Sequence, residues 1–267
     1  MESKPKQQQQ PQSTLKLTKP SNINDFGVSI NQTESQKPTD IEKKHVYEVY
    51  DKIATHFSHT RYKPWPKVAE FLNSLPPNSL VADIGCGNGK YMDVNPNIYM
   101  YGTDRSGNLL EIVRDKIQGS QVFTAESLYL PIRSNFFDAA ISIAVVHHFS
   151  NDLLRIKAIK EIKRVIKQGG KFLIYVWAME QKEKKFEHQD NFVPWHLQNK
   201  WENNVQVQSL GPDIVKDEKS DCIVYQRYYH VFKQGELEKL IEQIDGLHIE
   251  TSYFDHANWC CVVTKTK

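Results

Sequence analysis

The 267-residue chain has few cysteines, no long apolar stretch and almost no net charge, and each of these absences excludes a class of protein. Its four cysteines form no C-x-x-C pair, which speaks against a structural zinc site or a disulfide framework and favours a reducing compartment. No apolar run approaches the roughly 18 residues of a membrane-spanning helix, and the first residues are rich in lysine and glutamine, unlike a signal peptide. A formal charge of +2 gives no general signature of nucleic-acid binding. We therefore expect a soluble, intracellular protein without a metal site, located in the cytoplasm with the nucleus as a second compartment.

Residues 1–40 contain a run of four glutamines and are rich in serine, asparagine, threonine and proline. Such a segment cannot bury enough apolar surface to offset the entropy lost on ordering, so we predict a disordered tail. Residues 41–267 are long enough for one domain with a large core. An apolar stripe at helical spacing from Val46 to Phe57 begins that domain, and two prolines in the segment 58–66 predict an extended link to the next helix.

Apolar segments alternate with amphipathic ones over the middle of the chain. Strand-like stretches lie at 80–84, 98–103, 121–125, 138–143 and 172–177, and two more follow at 248–254 and 259–264. Strands that alternate with helices in this way predict a parallel, doubly wound α/β sheet. Before the fifth stretch we predict a long helix that buries Leu153, Ile156 and Ile159 and ends at Gly169-Gly170.

Residues 178–226 interrupt this alternation with polar and charged sequence. The segment includes Lys182, Lys184, Lys185 and the pair Pro194-Trp195. Because the strands resume only after it, we predict an insertion over the carboxyl edge of the sheet that is partly mobile.

The strongest local signal is the stretch from Leu80 to Lys90, in which an apolar strand runs through Asp83 into glycines at 85, 87 and 89. Glycines allow the chain to turn tightly and let a ligand approach the backbone. The next strand ends in Asp104, close to the roughly 20-residue spacing at which an acidic side chain meets a ribose hydroxyl. Together these features predict a nucleoside site at the carboxyl edge of an open sheet.

The type of nucleoside follows from the charge beside the glycines. Dinucleotide sites use the pattern G-x-G-x-x-G and neutralise a pyrophosphate at a helix N-terminus. This loop has the pattern G-x-G-x-G, and Asp83 puts a carboxylate where a diphosphate would need donors. A cation fits better, which favours S-adenosylmethionine through its amino and sulfonium groups. The alternative is a glycine loop that only closes a turn.

Several segments outside the glycine loop carry a more specific resemblance. They are Arg61-Tyr62-Lys63-Pro64-Trp65-Pro66, Ala144-Val145-Val146-His147-His148, Arg227-Tyr228-Tyr229-His230 and Asn258-Trp259-Cys260. Over roughly residues 43–265 the chain resembles the eukaryotic wobble-uridine tRNA methyltransferases, which esterify 5-carboxymethyluridine in the anticodon. The resemblance implies the Rossmann-like class I methyltransferase fold, with a seven-stranded, mostly parallel sheet, helices on both faces and an antiparallel last strand. The tail and the segment 178–226 depart from the family pattern.

The activity that this resemblance implies is methyl transfer from S-adenosylmethionine to a carboxylate, which forms 5-methoxycarbonylmethyluridine. A carboxylate is already ionised at neutral pH, so the reaction needs no general base. It needs in-line placement, and donors that hold the carboxylate without blocking the attacking oxygen. Two alternatives stay open: a small-molecule methyltransferase of the same fold, and a non-catalytic RNA-binding scaffold with a vestigial cofactor pocket.

For the cofactor we expect Asp83 and Gly85 at the methionine end, Asp104 at the ribose, and Glu126 at the adenine amino group. The full set of predicted cofactor-binding residues is Asp83, Gly85, Gly87, Gly89, Asp104, Arg105, Ala125, Glu126 and Ala144. Two strand-end acids and a glycine loop between them support this assignment.

For the acceptor the predicted catalytic residues are Arg61, His148 and Tyr229. Predicted substrate-binding residues are Tyr62, Lys63, Trp65, His147, Tyr228 and His230. We expect Arg61 to hold the carboxylate through two parallel bonds, His148 to donate a softer contact, and Trp65 or Tyr229 to stack on the uracil. The alternatives are a packed histidine corner, tyrosines in the core and a tryptophan that only begins a helix.

Two partners are expected. Lys90, Arg105, Lys182, Lys184 and Lys185 are candidates for a basic rim that contacts the phosphates of the tRNA anticodon loop, although lysine runs are also ordinary solvated surface. The resemblance further implies a heterodimer with the small zinc-binding methyltransferase activator protein. The strand 121–125 is predicted at the sheet edge, where another chain's strand, or the chain's own N-terminal region, could pair.

Overall fold

The computed structural model describes residues 21–22, 37–182, 184–198, 215–217 and 222–267. In chain order the strands are β1 (Ser21–Asn22), β2 (Leu80–Ile84), β3 (Tyr99–Asp104), β4 (Gln121–Thr124), β5 (Phe137–Ile143), β6 (Ile166–Trp177), β7 (Asp190–Gln198), β8 (Val215–Asp217), β9 (Cys222–His230), β10 (Leu247–Asp255) and β11 (Asn258–Lys265).

The helices are α1 (Asp40–Glu42), α2 (Glu48–Thr60), α3 (Pro66–Asn73), α4 (Gly107–Lys116), α5 (Asp152–Val165) and α6 (Glu236–Glu242). A π-helical turn, Lys43–Tyr47, joins α1 to α2, and a 3-10 turn, Val146–His148, follows β5. Among the described residues, no helix combines the length and the apolar character needed to span a bilayer.

Seven strands form the main sheet, in the order β10-β11-β6-β5-β2-β3-β4. The strands from β6 to β4 in that order pair parallel, whereas β11 pairs antiparallel with both β6 and β10. The last strand therefore opposes the other six. This topology confirms the predicted seven-stranded, mostly parallel sheet with an antiparallel last strand.

Helices cover both faces of this sheet. On one face α5 and α6 bury residues such as Ile159 and Leu240, and on the other α3 and α4 bury residues such as Leu72 and Val113. Each fully buried aliphatic side chain of this kind contributes roughly 1.5–3 kcal/mol to stability. The continuous apolar character of the central strands follows from this burial on both sides.

The helix α5 differs from its prediction in register and length. It ends at Val165, and β6 begins at once because Ile166 pairs with Phe137. Leu153 is 42% exposed, whereas Leu154 is fully buried. The predicted end at Gly169-Gly170 is therefore wrong: these glycines lie within β6, where Gly169 has a φ of +77°.

A second, antiparallel sheet has the strand order β1-β7-β9-β8 and packs against α2 through Trp195, Ile223 and Tyr225. The segment predicted as an insertion thus supplies β7, β8 and the start of β9, while its residues 183, 199–214 and 218–221 lie outside the described part. Most of the predicted tail, residues 1–20 and 23–36, also lies outside it. Within the tail, Ser21 and Asn22 pair with Phe192 and Asn191, because the edge of β7 offers unpaired backbone groups.

Candidate active site

A cavity of about 180 Å³ lies at the carboxyl ends of β2, β3 and β5, where the sequence predicts a ligand. Its floor is the glycine loop after β2, and α2, the π-helical turn and β9 contribute its other walls. Its charged and titratable lining residues include Asp83, Asp104, Glu126, Arg227, His147 and His148, together with Glu42, Arg61, Lys90 and Arg105.

The glycine loop is held close to β3. The N–H groups of Gly85 and Cys86 both donate to the carbonyl oxygen of Thr103, at 2.7 and 2.8 Å. Gly85 has a φ of +81°, and a Cβ on it would lie 2.3 Å from Cγ2 of Val145. Only glycine fits this position, so the backbone itself forms the cavity surface. Gly87 also lines the cavity, whereas Gly89 packs behind it against Val113.

Asp104 presents a fixed carboxylate at the end of β3. One oxygen accepts the N–H of Gly87 at 2.8 Å, and the other accepts the N–H of Ser106 at 2.9 Å. Burial raises the pKa of Asp104, although these N–H groups act in the opposite direction. Each oxygen keeps a lone pair for a further donor, as the two hydroxyls of a ribose would require.

Asp83 has an unsatisfied oxygen. Its side chain is 1% exposed, and Oδ2 accepts no hydrogen bond from any residue that the structure describes. Burial raises the pKa of Asp83 to about 7, with Lys90 acting against the shift and Asp104 adding to it. Burial also lowers the pKa of Lys90 to about 8. A buried carboxylate without a partner is costly, and a bound cation would neutralise it. The orphaned oxygen and the Gly85 surface therefore fit S-adenosylmethionine.

The remaining predicted cofactor residues divide into two groups. Arg105, Glu126 and Ala144 line the cavity, with 4.0 Å between Nε of Arg105 and Oε2 of Glu126. Ala125 stands behind the surface, where its N–H donates to the carbonyl of Asp104 at 3.0 Å. Seven of the nine predicted residues thus line the cavity, and Gly89 and Ala125 support it.

A chain of hydrogen bonds, called the relay below, links Arg227, Tyr229, Tyr50 and His148 in the cavity lining. Nη1 of Arg227 lies 2.8 Å from the Tyr229 hydroxyl, which lies 3.0 Å from the Tyr50 hydroxyl, itself 3.1 Å from Nε2 of His148. Nδ1 of His148 lies 2.9 Å from the Tyr228 carbonyl. A guanidinium can only donate and a carbonyl can only accept. Each hydroxyl therefore donates towards His148, whose Nε2 accepts and whose Nδ1 donates.

This relay corrects the role predicted for His148. Burial lowers the pKa of His148 to about 3, so the ring is neutral and carries its one proton on Nδ1. That proton is committed to the Tyr228 carbonyl. His148 therefore has no donor left for an acceptor carboxylate, and it orients Tyr50 and Tyr229 instead.

Arg227 lines the cavity and is absent from the predicted site residues. Its side chain is buried, and among the described residues no acidic side chain is in ion-pair contact with it. Nε of Arg227 also lacks a hydrogen-bond partner there, and the guanidinium lies 4.6 Å from the centre of the Trp195 ring. An arginine two residues before Tyr229 shares its face of β9, and this spacing could have placed both side chains in the cavity.

The predicted acceptor residues of the segment 61–65 lie at the cavity mouth or outside it. Arg61 lines the cavity but is exposed, and its Nη1 donates to the carbonyl of Thr60 at 3.1 Å. Trp65 lines the cavity and packs on Tyr175, with 5.5 Å between ring centres. Tyr62 is 62% exposed and, like Lys63 above its ring, does not line the cavity.

Of the predicted residues Tyr228, Tyr229 and His230, only Tyr229 lines the cavity, and its ring stacks on Trp177 at 4.2 Å. Tyr228 is fully buried and donates its hydroxyl proton to Asp190. His230 contacts Asp190 at 2.8 Å and Glu236 at 2.7 Å. These two residues therefore join β7, β9 and α6, and the substrate-binding role predicted for them is not supported by their position.

The residues of the predicted basic rim also lie in different places, some lining the cavity and others exposed outside it. Lys90 lines the cavity, and its Nζ lies 4.5 Å from the centre of the Trp65 ring. Nζ of Lys184 lies 4.7 Å from the Trp177 ring, and Arg105 is half-exposed beside Tyr47. Lys182 and Lys185 are exposed.

The fold and the acid-flanked glycine loop define a class I S-adenosylmethionine-dependent methyltransferase. Residues 82–174 match the family model described as a methyltransferase domain. A solved S-adenosylmethionine-dependent methyltransferase from Clostridium acetobutylicum superposes with a TM-score of 0.58 at 13% identity, covering 82% of this chain and 100% of that one. A chain from the complex between the Haloferax volcanii Trm112 methyltransferase activator and the putative methyltransferase gives a TM-score of 0.55 at 13% identity, covering 84% and 99%. At these identities the likeness shows the fold alone.

Curated relatives are more informative. The tRNA (carboxymethyluridine(34)-5-O)-methyltransferase of Schizosaccharomyces pombe is 47% identical over 230 residues, which cover 84% of this chain and 97% of the relative. The tRNA (carboxymethyluridine(34)-5-O)-methyltransferase alkbh8 of Xenopus tropicalis is 39% identical over 95% of this chain. The chain spans only 44% of the length of this frog relative. The chain belongs to the tRNA (carboxymethyluridine(34)-5-O)-methyltransferase family.

Proposed function

We propose that this chain transfers a methyl group from S-adenosylmethionine to the carboxylate of 5-carboxymethyluridine at the wobble position of tRNA, which forms the methyl ester. The observation that carries the proposal is the charge pattern of this cavity. Asp83 and Asp104 offer carboxylates to a cationic cofactor, and the buried Arg227, without an acidic partner among the described residues, offers a cation to an anionic acceptor. The names of the relatives support the same acceptor.

The chemistry needs no proton transfer to the protein. S-adenosylmethionine supplies an electrophilic methyl group on a positively charged sulfur. The acceptor carboxylate is ionised at neutral pH, so no general base is required. The neutral state of His148 agrees with this, because burial lowers its pKa to about 3 and both ring nitrogens are engaged.

The protein contributes position and a dry environment. The hydrogen bond from Nη1 of Arg227 to the Tyr229 hydroxyl holds the guanidinium, and the relay through Tyr50 holds Tyr229. A guanidinium fixed in this way can meet a carboxylate without further ordering, and a charge-assisted bond is strong where water is excluded. Placing the reacting groups in line can lower the barrier by several kcal/mol, about 7–11 in favourable cases.

Labelled methyl transfer tests the proposal. The protein is incubated with methyl-labelled S-adenosylmethionine and anticodon stem-loops that carry either 5-carboxymethyluridine or unmodified uridine. We expect alkali-labile label in the first RNA and none in the second. Label in a small molecule without RNA would support a small-molecule methyltransferase, and failure to bind S-adenosylmethionine in calorimetry would support a non-catalytic scaffold; either result would overturn the proposal.

The proposal includes the small zinc-binding methyltransferase activator as a partner that adds a strand to β4. This strand is at the sheet edge and pairs only with β3 in the described part of the chain. The described N-terminal strand β1 pairs with β7 and leaves β4 uncovered. An uncovered edge is suited to strand addition, and the Haloferax volcanii neighbour comes from a complex with a methyltransferase activator.

Hydrogen exchange tests this docking edge. With the activator present, the amides of Gln121–Thr124 should exchange more slowly, because new main-chain hydrogen bonds protect them. The opposite edge strand, Leu247–Asp255, serves as the control and should not change. Equal protection at both edges, or protection at neither, would contradict docking at β4.

A further inference from the structure

His147 carries a buried donor that the relay does not use. The residue lies in the 3-10 turn after β5, is fully buried and lines the cavity. Its Nδ1 lies 3.0 Å from the backbone nitrogen of Trp177. A backbone N–H can only donate, so Nδ1 is the acceptor and the proton of the neutral ring is on Nε2. That Nε2–H has no hydrogen-bond partner in the described part of the chain.

A second orphaned donor lies in the same neighbourhood. Nε of Arg227 has no partner among the described residues, and its guanidinium carbon lies 5.2 Å from the centre of the Tyr229 ring. The His147 ring lies 4.9 Å from the same ring. Leaving a buried donor unsatisfied costs about 1–3 kcal/mol, so two such groups around one aromatic ring point to an acceptor that both can meet.

We propose that the Nε2–H of His147 and the guanidinium of Arg227 bind the same acceptor carboxylate, with His147 as the neutral second donor. This assignment rests on the proposed function and gives His147 the role that the sequence predicted for His148. A carboxylate has about four lone-pair sites, so one bond from His147 and two from Arg227 leave one for attack. A neutral donor also withdraws less charge than a second cation would, and the attacking oxygen stays more nucleophilic.

Two substitutions test the two nitrogens of the His147 ring separately. In His147→Asn the amide oxygen can still accept the Trp177 N–H, but no donor remains at the position of Nε2. In His147→Gln the longer side chain can place an N–H near that position, but the acceptor for Trp177 is lost. The first variant therefore tests the proposed contact, and the second tests the structural contact.

The readout is binding to two anticodon stem-loops that differ at one group, with 5-carboxymethyluridine in one and the neutral 5-carbamoylmethyluridine in the other. Wild-type protein should prefer the carboxylate RNA. His147→Asn should reduce this preference by roughly 10- to 150-fold, the range for loss of a hydrogen bond to a charged group, and His147→Gln should stay within about threefold of wild type. Affinity for S-adenosylmethionine should be unchanged in both variants, which also reports that they fold.

Three results would overturn the assignment. His147→Asn could keep the full preference, it could weaken both RNAs equally, as a contact to the uracil would, or His147→Gln could be the more damaged variant. Should His147→Asn fail to fold, nitrogen-15 histidine spectra of wild type decide: the Nε2 proton of His147 should shift with the carboxylate RNA and not with the amide RNA. Failure of wild type to methylate the carboxylate RNA would instead count against the proposed function, because the binding comparison does not depend on turnover.

Discussion

Single buried atoms define what the cavity can bind. Oδ2 of Asp83 lacks a donor, and Nε2 of His147 and Nε of Arg227 lack acceptors, among the residues that the structure describes. Buried polar groups are normally paired, and the exceptions in a native protein usually mark a ligand site. The Asp83 acceptor and the His147 and Arg227 donors are three of the buried polar atoms of the cavity lining that lack a partner among the described residues, and their chemistry matches a cationic cofactor and an anionic substrate.

The first prediction concerns pH and Asp83. Burial raises the pKa of Asp83 to about 7, so much of this carboxyl is protonated below pH 7 in the free protein. A bound cation favours the ionised form, so cofactor binding in acid releases a proton. We expect the association constant for S-adenosylmethionine to rise with pH, by at most tenfold per unit, and to level off near pH 7.

Calorimetry of wild type and Asp83→Asn between about pH 5.5 and 7 provides the check. The variant should bind more weakly and should lose most of the pH dependence. Burial also raises the pKa of Asp104 and Glu126, so the difference between the two proteins isolates Asp83. An equally steep dependence in the variant would show that another group releases the proton.

The second prediction concerns the glycine loop. Gly85→Ala should destabilise the protein by roughly 2–4 kcal/mol, because the new Cβ must fit at a positive φ and would lie 2.3 Å from Val145. Gly119→Ala is the matched control: its φ of +76° is similar, but nothing lies within 4 Å of the added Cβ. The control should lose only about 1–2 kcal/mol, the backbone cost alone. The free energy of unfolding of both variants is measured by urea titration, and equal losses in the two would contradict the close packing at Gly85.

A site residue could be predicted from the sequence when its neighbours in the structure are also close to it in sequence. Asp83, Gly85 and Asp104 belong to a local strand-and-turn pattern, and all three line the cavity. The sequence could not show which of His147 and His148 has a ring N–H free to bind a substrate. It depends on the Trp177 N–H for one ring and the Tyr228 carbonyl for the other, which are distant in sequence.

At the scale of elements, a charged junction connects the second sheet to the main domain. His230 on β9 lies between Asp190 on β7 and Glu236 on α6. Arg155 on α5 adds a charge 3.8 Å from Asp190. Because Tyr229 lies on the same strand as His230, this junction also holds the cavity wall. The strand pattern alone did not show it, since α5 and β7 are distant in sequence from β9 and α6.

The third prediction is the acid response of this junction. Although burial alone would raise the pKa of Asp190, the hydrogen bond and charge of His230, with Tyr228 and Arg155, hold it below its usual value. His230 likewise lowers the pKa of Glu236 against the effect of burial. Carboxyls with depressed folded-state pKa values stabilise the protein above their unfolded pKa, and this stability is lost as pH falls through the folded values. Stability should therefore fall below about pH 4.5.

Asp190→Asn should cost about 1–3 kcal/mol near pH 7 and should flatten the decline between about pH 5 and pH 3. Asp152→Asn is the control. It removes a second carboxylate from Arg155, but one that is 63% exposed, so the loss should stay near 0.5 kcal/mol. Chemical denaturation at several pH values measures both, and a decline as steep in Asp190→Asn as in wild type would contradict the role of the junction.

At the scale of the whole molecule, the main sheet was easier to predict from the sequence than the second, antiparallel sheet. The seven-stranded sheet follows from apolar strands that alternate with helices, a pattern visible in sequence. The second sheet does not, because its pairs join distant segments, such as Ser21 with Phe192, and because polar residues interrupt its strands. The second sheet contributes Arg227 and Tyr229 to the cavity; Tyr229 was predicted as a site residue, and Arg227 was not.

The fourth prediction concerns the whole molecule on tRNA. With a formal charge of +2, the protein must bind RNA through local basic groups. Replacing the exposed Lys182 and Lys185 together by glutamine should reduce the salt dependence of tRNA binding, by about 1.4–1.8 units of the log–log slope if each lysine contacts one phosphate. Affinity for S-adenosylmethionine should not change.

The matched control replaces Lys167 and Lys171, at the start of β6 and therefore at the opposite end of the sheet, where they pair with Asp138 and Glu250. This double variant should keep the wild-type slope in filter-binding titrations. A slope that changes equally in both double variants would show that tRNA is held without preference for the cavity side.

The most direct test of the central claim is a structure of the protein with S-adenosylhomocysteine and an anticodon stem-loop that carries 5-carboxymethyluridine. Our account predicts the ribose hydroxyls at Asp104, the amino group near Asp83, and the wobble carboxylate about 3 Å from the nitrogens of Arg227 and His147. A wobble carboxylate located elsewhere, with Arg227 still bonded only to Tyr229, would contradict it.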